Sequence, residues 1–203
     1  MRAAAVAAVC ALVAAPVLAD EGMWLFNQVP AKRIQAAYGF TVTPGFLEEL
    51  HMASIRFNNG GSGSLVSPQG LVFTNHHVGS ECIHELGSAE NDYLTNGFYA
   101  KAPAEEKTCP GLEVNVLLGI EDVTGKVNGA VKQGGTAAEA NQARKAEMSA
   151  IEKACSERTG NRCDVVTLYS GGLYHLYEYK KYTDVRLVFA PESSIAAFGG
   201  DPD

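Results

Sequence analysis

The interpretation of this sequence depends on one stretch, Gly61-Ser62-Gly63-Ser64-Leu65-Val66-Ser67-Pro68-Gln69-Gly70-Leu71-Val72-Phe73-Thr74-Asn75-His76-His77-Val78. Two short runs of strand-forming residues, 64–66 and 71–73, flank the tetrapeptide 67–70. This tetrapeptide has proline at its second position and glycine at its fourth, which is typical of a type I turn. The stretch therefore predicts a β-hairpin whose second strand leads directly to two adjacent histidines.

A histidine just past a strand end is well placed to act as a general base. Such a base needs a rigid support, an open cleft and a carboxylate that holds its second ring nitrogen. Chymotrypsin-like peptidases carry their catalytic histidine in a T-x-x-H run followed by a small or apolar residue, and the run from Thr74 to Val78 is similar to it. We therefore predict that His77 is the catalytic base and that His76 packs or hydrogen-bonds beside it.

The glycine- and serine-rich run 60–64 resembles a G-x-S-G-S nucleophile motif, but its position argues against that role. In the chymotrypsin order the nucleophile follows the histidine on a second barrel, whereas Ser62 precedes His77. The glycines are better explained by a strand that passes closely beneath a neighbouring loop, and the run 59–61 separates that strand from the preceding helix. We do not expect Ser62 to be the nucleophile.

A metal site is a second interpretation of the same region. Histidines and glutamates cluster within ten residues: His76, His77, Glu81, His84 and Glu85. If this segment is helical, His77, Glu81 and His84 share a face, although the second histidine of an H-E-x-x-H motif is missing because a serine stands there. The alternative function is therefore a non-catalytic exported module that binds a metal or a peptide through this cluster. For His84 and Glu85 themselves we expect a solvated loop.

The composition excludes several classes of protein. The 203 residues include 16 Lys+Arg and 23 Asp+Glu, a net charge of −7, which argues against nucleic-acid binding because that function needs a basic patch. A hydrophobic fraction of 46% with 19% charged residues is typical of a folded chain. Beyond the N-terminus no apolar run is long enough to span a membrane, so we expect no stable membrane insertion.

The first nineteen residues have the three parts of a secretory signal peptide. Arg2 supplies the basic part, residues 3–15 form an uncharged apolar run, and small residues precede a cleavage point after Ala19. A short membrane anchor is the alternative, but the apolar run is short for that role. We predict a cleaved signal peptide at 1–19 and an exported segment at 20–203, which the family resemblance described below identifies as the N-terminal part of a peptidase catalytic domain in the periplasm of a Gram-negative bacterium.

Four cysteines remain after removal of the signal peptide, and an even number in an exported chain favours disulfides. Four cysteines allow three pairings. Cys155–Cys163 closes a short loop over a turn-rich segment, which leaves Cys82–Cys109 as the second pair, and we favour this arrangement. A zinc site is the alternative, but the sequence has no C-x-x-C pair.

The remaining patterns predict a mainly β fold with a helical insertion at about 136–160. The insertion has only a thin apolar stripe, so we expect a peripheral helix that packs on one side. Helices are predicted at 43–52, 88–96 and 136–158, and further strands at 113–118, 164–169, 173–179 and 184–190.

Four blocks of sequence together resemble the dipeptidyl-peptidase 7/11 type of serine peptidase family 46. They lie at 20–24, 74–78, 173–192 and 198–203, and the resemblance runs from Glu21 to the last residue. It implies a periplasmic exopeptidase with a chymotrypsin-like double β-barrel, of which this chain is the first part, and a large helical domain. It implies release of dipeptides from oligopeptide N-termini by a Ser-His-Asp triad, without a metal or other cofactor. Family members often have cysteine at the position of Val78, where the side chain packs behind the histidine.

The resemblance also implies that the other catalytic residues lie beyond Asp203. In the family, the block at 198–203 is followed by the asparagine that binds the substrate's amino terminus and then by the triad aspartate, with the serine much later. We therefore expect an N-terminal piece that is inactive alone. No spacing singles out an orienting carboxylate among the candidates Asp122, Asp164, Asp184, Asp201 and Asp203. Substrate side-chain preference is not predicted, and a homodimer of the complete enzyme stays open.

Overall fold

The computed structural model describes residues 22–196. The chain divides into two compact units, Met1–Thr41 and Val42–Asp203. The predicted signal peptide at 1–19 lies outside the described residues.

The described part of the first unit contains one helix, α1 (Ala31–Tyr38). Proline precedes this helix, and Gly39 ends it in the left-handed conformation at a φ of 68°, which costs glycine little. No helix was predicted at α1, which has only eight residues and buries none of them. The proline before it and the glycine after it were the available signal.

The second unit is built on an antiparallel β-sheet. Its strands are β1 (Ser54–Phe57), β2 (Ser62–Leu65), β3 (Val72–Thr74), β6 (Val114–Asp122), β7 (Arg162–Leu168) and β8 (Leu173–Tyr182). They lie in the order β3-β2-β1-β6-β8-β7. Two small pairs complete the β structure of residues 22–196, β4 (Phe98–Tyr99) with β10 (Phe189–Ala190), and β5 (Lys107–Thr108) with β9 (Arg186–Leu187). The mainly β fold with helices is confirmed, and over the described residues the sheet is open rather than closed into a barrel.

Six α-helices of the second unit accompany the sheet in the described residues: α2 (Pro44–Ala53), α3 (His76–Leu86), α4 (Tyr93–Asn96), α5 (Thr124–Gly129), α6 (Ala137–Thr159) and α7 (Ser193–Ala196). Two short 3-10 helices lie at Pro103–Glu105 and Tyr169–Gly171. The predicted helices at 43–52 and 136–158 are confirmed as α2 and α6. Threonine caps both, since Thr43 accepts from the N–H of Phe46 and Thr136 forms a capping box with Glu139. Across residues 22–196, none of the helices combines the length and the apolar character that crossing a membrane requires.

Three local predictions were wrong. The helix expected at 88–96 is reduced to α4, because Ser88 accepts from the N–H of Asn91 in a turn and Asp92 caps the helix instead. The strand expected at 184–190 is divided into β9 and β10, which pair with different partners. The loop expected around His84 and Glu85 is the last turn of α3.

Two separate apolar clusters stabilise the second unit. The hairpin-side core consists of Ile55, Phe57, Val78, Val114 and Val116. The helix-side core consists of Val123, Val127, Cys155, Cys163, Val165, Tyr174 and Leu176, with Met148 and Ile151 packed against it. Of the residues of α6, only Cys155 is fully buried, which agrees with the peripheral position that its thin apolar stripe predicts.

Both disulfides of the favoured pairing are present. Cys155–Cys163 joins α6 to β7 within the helix-side core. Cys82–Cys109 joins α3 to the segment after β5, with a Cα–Cα distance of 5.2 Å. Each disulfide therefore attaches a helix to a different part of the β structure.

Candidate active site

The predicted hairpin is formed by β2 and β3. Leu65 pairs with Val72 and Gly63 with Thr74. The turn between the strands is closed by a bond from the N–H of Gly70 to the carbonyl of Ser67, as expected for its proline and glycine positions. The Ser67 hydroxyl also accepts from the N–H of Leu71 at 3.1 Å, so the turn has side-chain support as well.

Helix α3 begins immediately after β3. Asn75 has extended backbone angles and is the N-cap residue, His76 is the first helical residue, and His77 is the second. The side chain of His77 is exposed, that of His76 is half-buried, and that of Val78 is buried in the hairpin-side core. A strand and a packed helical turn thus present His77 to solvent, which is the rigid and accessible support that a general base needs.

Close contacts fix the start of α3 against the hairpin. A Cβ atom added at Gly61 would lie 2.4 Å from Cγ1 of Val78, so only glycine allows the chain to pass this close. The Thr74 hydroxyl donates to the carbonyl of Ser62 at 2.7 Å, and the Ser80 hydroxyl donates to the carbonyl of His77 at 2.9 Å. The glycine-rich run therefore serves packing, as its sequence position predicted.

The described candidates for an orienting carboxylate have other partners. Asp122 accepts from the N–H of Thr124 at the start of α5, and its pKa lies below the ordinary value because of hydrogen bonds from Thr124. Asp164 forms an ion pair with Arg162 at 2.9 Å. Asp184 forms one with Arg186 at 2.7 Å, and the hydrogen bond from this arginine lowers its pKa. Asp201 and Asp203 lie outside the described residues.

The other histidines of the second unit are less suited to act as a base in an open cleft. His51 contacts the carbonyl oxygen of Leu117 through Nδ1 at 3.0 Å. His175 is only 1% exposed within β8, so a substrate cannot reach it. His84 is exposed in the last turn of α3, where it helps to lower the pKa of Asp92 after the larger effect of hydrogen bonds from Thr95.

The helical condition for the metal alternative is met, because His77, Glu81 and His84 all lie on α3. Within residues 22–196, however, no group of three His, Cys, Asp or Glu side chains is arranged to hold a metal ion. The metal-binding interpretation is therefore not favoured.

A small cavity of about 190 Å³ lies beside α3 and is lined by residues that include Asn58, Asn59, Glu81 and Cys82. It is smaller than the roughly 300 Å³ at which ligand pockets usually begin. The two asparagine side chains already bond to the protein backbone.

The sequence matches the family described as Peptidase S46 over residues 19–203. Dipeptidyl-peptidase 7 of Porphyromonas gingivalis is 39% identical over 194 residues, which cover 91% of this chain and 27% of that protein. The Asp/Glu-specific dipeptidyl-peptidase of Porphyromonas endodontalis is 34% identical over 199 residues, with 91% of this chain and 27% of that protein covered. The chain thus spans roughly a quarter of the length of these relatives.

Solved structures show the same fold. Porphyromonas endodontalis DPP11 in complex with substrate superposes with a TM-score of 0.73 at 31% identity, covering 90% of this chain and 28% of that chain. The same protein in complex with the dipeptide Arg-Glu gives a TM-score of 0.70 at 32% identity, again over 90% of this chain and 28% of that chain. The sheet and helices described above are therefore shared with these structures.

Proposed function

The chain belongs to the Peptidase S46 family, and we propose that the protein is a serine-type dipeptidyl-peptidase that releases dipeptides from the N-termini of oligopeptides. The observation that carries the proposal is the position of His77, exposed in the first turn of a helix that directly follows the hairpin. The names of the relatives support the reaction, since both describe dipeptidyl-peptidases. They differ in the specificity that they state, so the proposal covers only dipeptide release.

In the proposed mechanism His77 acts twice. Its imidazole accepts the proton of the serine hydroxyl during attack on the peptide carbonyl and then donates a proton to the leaving amine. The serine and the carboxylate that orients the imidazole are supplied by residues beyond 203. Exposure of His77 agrees with this role, because the imidazole must meet groups that lie outside the described sheet.

We further propose that the enzyme acts in the periplasm after cleavage of residues 1–19. The basic, apolar and small-residue parts of this segment support export. The two disulfides support it independently, because such bonds persist in oxidising compartments and are rare in the cytosol.

The test uses the protein encoded by the whole gene and one oligopeptide in two forms, with a free and with an acetylated N-terminus. We expect mass spectrometry to detect successive dipeptides from the free form only. A serine-directed fluorophosphonate should abolish the release, whereas a chelator should leave it unchanged. Loss of activity with the chelator alone, or internal cleavage of the acetylated peptide, would contradict the proposal. The 203-residue chain alone should release no dipeptide.

A further inference from the structure

Asn59 connects the turn between β1 and β2 to the helix that carries His77. Its Oδ1 accepts from the N–H of Gly61 at 3.3 Å, and its Nδ2 donates to the carbonyl of Val78 at 2.9 Å. One side-chain atom must therefore accept while the other donates. An asparagine amide meets both demands, whereas an aspartate carboxylate can only accept.

The bond from Asn59 ends on the residue directly after His77. The side chain of Val78 is buried in the hairpin-side core and touches the chain at Gly61, where no Cβ atom would fit. Two residues of one turn thus hold Val78. Gly61 packs against the Val78 side chain, and Asn59 binds the Val78 carbonyl oxygen. The backbone of His77 cannot move far without breaking one of these contacts.

We propose that Asn59 is a positioning residue, which fixes the first turn of α3 and through it the imidazole of His77. This inference rests on the proposed function of His77. Asn59 itself is exposed, and its side-chain bonds go to the backbone at Gly61 and Val78. Its effect comes from placement, since a general base works only when it lies within hydrogen-bond reach of the proton that it removes. A displacement of about 1 Å can lower turnover by up to 10²-fold.

The neighbouring residue offers a matched control. Asn58 is also an exposed asparagine of the same turn, but it bonds in a different direction. Its Nδ2 donates to the carbonyl of Gly111 and its Oδ1 accepts from the N–H of Glu113, both at 2.9 Å. The substitutions Asn58→Asp and Asn59→Asp therefore make the same chemical change one residue apart, and only the second removes a bond to α3.

The experiment compares these two variants in the protein encoded by the whole gene, with a fluorogenic dipeptidyl substrate at pH 8. We expect Asn59→Asp to lower kcat about tenfold with KM unchanged within about twofold. Asn58→Asp should keep kcat within about twofold of wild type. Hydrogen exchange measured by mass spectrometry should become faster in the peptide that covers residues 76–80 for Asn59→Asp only. If Asn59 only stabilised the fold, the folded Asn59→Asp variant would not show a lower kcat with an unchanged KM.

Unchanged kcat in a folded Asn59→Asp variant would overturn the proposal, as would an equal loss of kcat in Asn58→Asp. If Asn59→Asp does not fold, Asn59→Ser is measured instead, and a normal kcat for that variant overturns the proposal. The variant His77→Ala is assayed beside them. If His77→Ala keeps its turnover, the proposed function of His77 fails. If His77→Ala is inactive while the Asn59 variant is fully active, only the proposal for Asn59 fails.

Discussion

The two ends of the six-stranded sheet are stabilised in different ways. At the hairpin side, β2 and β3 have four and three residues, and Phe73 is 65% exposed. At the helix side, β7 and β8 have seven and ten residues, and the 23-residue α6 packs against them. Each end has one disulfide and one apolar core. The long strands and helix provide many redundant contacts, whereas the hairpin side depends on a few specific ones that determine where His77 lies.

The comparison leads to four predictions, of which the largest concerns His77. Replacing His77 with alanine in the protein encoded by the whole gene removes the proposed base and leaves the hairpin-side core intact. Turnover should fall by a factor on the order of 10⁴, measured with a dipeptidyl fluorogenic substrate and with folding checked by circular dichroism. His76→Ala should cost much less. An inactive His76 variant beside an active His77 variant would show that the neighbouring histidine is the base.

The second prediction compares the two disulfides. In the chain-entropy model, loss of Cys82–Cys109, with a sequence separation of 27, costs about 3.5 kcal/mol, and loss of Cys155–Cys163, with a separation of 8, about 2.5 kcal/mol. The double serine variants are compared by chemical denaturation. Only the first pair should also lower kcat in folded enzyme, because only Cys82 lies on α3. Equal kcat values for the two variants would remove the functional distinction between the two ends.

The third prediction concerns the close approach at Gly61. Gly61→Ala places a methyl group against Val78, so the hairpin and α3 must separate, and we expect a loss of about 2 kcal/mol in the free energy of unfolding. Gly125→Ala in α5 is the control, because no atom lies within 4 Å of its added Cβ and alanine favours helix. Thermal denaturation of both variants checks the prediction, and equal melting temperatures would contradict it.

The smallest effect is expected at the cap of α6. Thr136→Ala should lower stability by about 1 kcal/mol because it removes the acceptor for the N–H of Glu139. Hydrogen bonds from Thr136 hold the pKa of Glu139 below its ordinary value. The contribution of this carboxylate is therefore present at neutral pH and is lost as the pH falls through its lowered pKa. Denaturation curves should show the difference between variant and wild type narrowing in acid without vanishing, because only the bond from the Thr136 hydroxyl to the Glu139 carboxylate depends on ionisation, with kcat unaffected at neutral pH. A difference that does not narrow in acid would argue against that bond.

Local signals predicted much of this structure. The Ser67–Gly70 turn specifies a backbone conformation through its own residues. The helix predicted at 136–158 is bounded by two residues that favour helix ends, Thr136 at its start and Gly160 at its end. The resemblance identified the family because several blocks agreed at once. The two disulfides were favoured from loop length and from the even number of cysteines.

Other features depend on contacts between distant parts of the chain. The helix expected at 88–96 failed because Ser88 and Asp92 compete to cap it, and only Asp92 meets a helical N–H. The bond from Asn59 to Val78 was not predicted, because the Asn-Gly-Gly run at 59–61 indicates a break in the chain and Val78 is nineteen residues away. The local pattern does not identify Val78 as the partner of Asn59. A side chain with both a donor and an acceptor beside two glycines was the available signal.

Under the proposed export to the periplasm, the Cys82–Cys109 bond also sets an order of events during maturation. Oxidation of two thiols to a disulfide is a chemical step, far slower than the formation of a helix or a hairpin. The resulting disulfides are rare in the cytosol. The hairpin, the first turn of α3 and the contacts of Val78 can all form first. The covalent attachment of α3 then follows when the chain reaches an oxidising compartment. Under the proposed function, the helix that presents the histidine gains its last support only where the peptidase is to act.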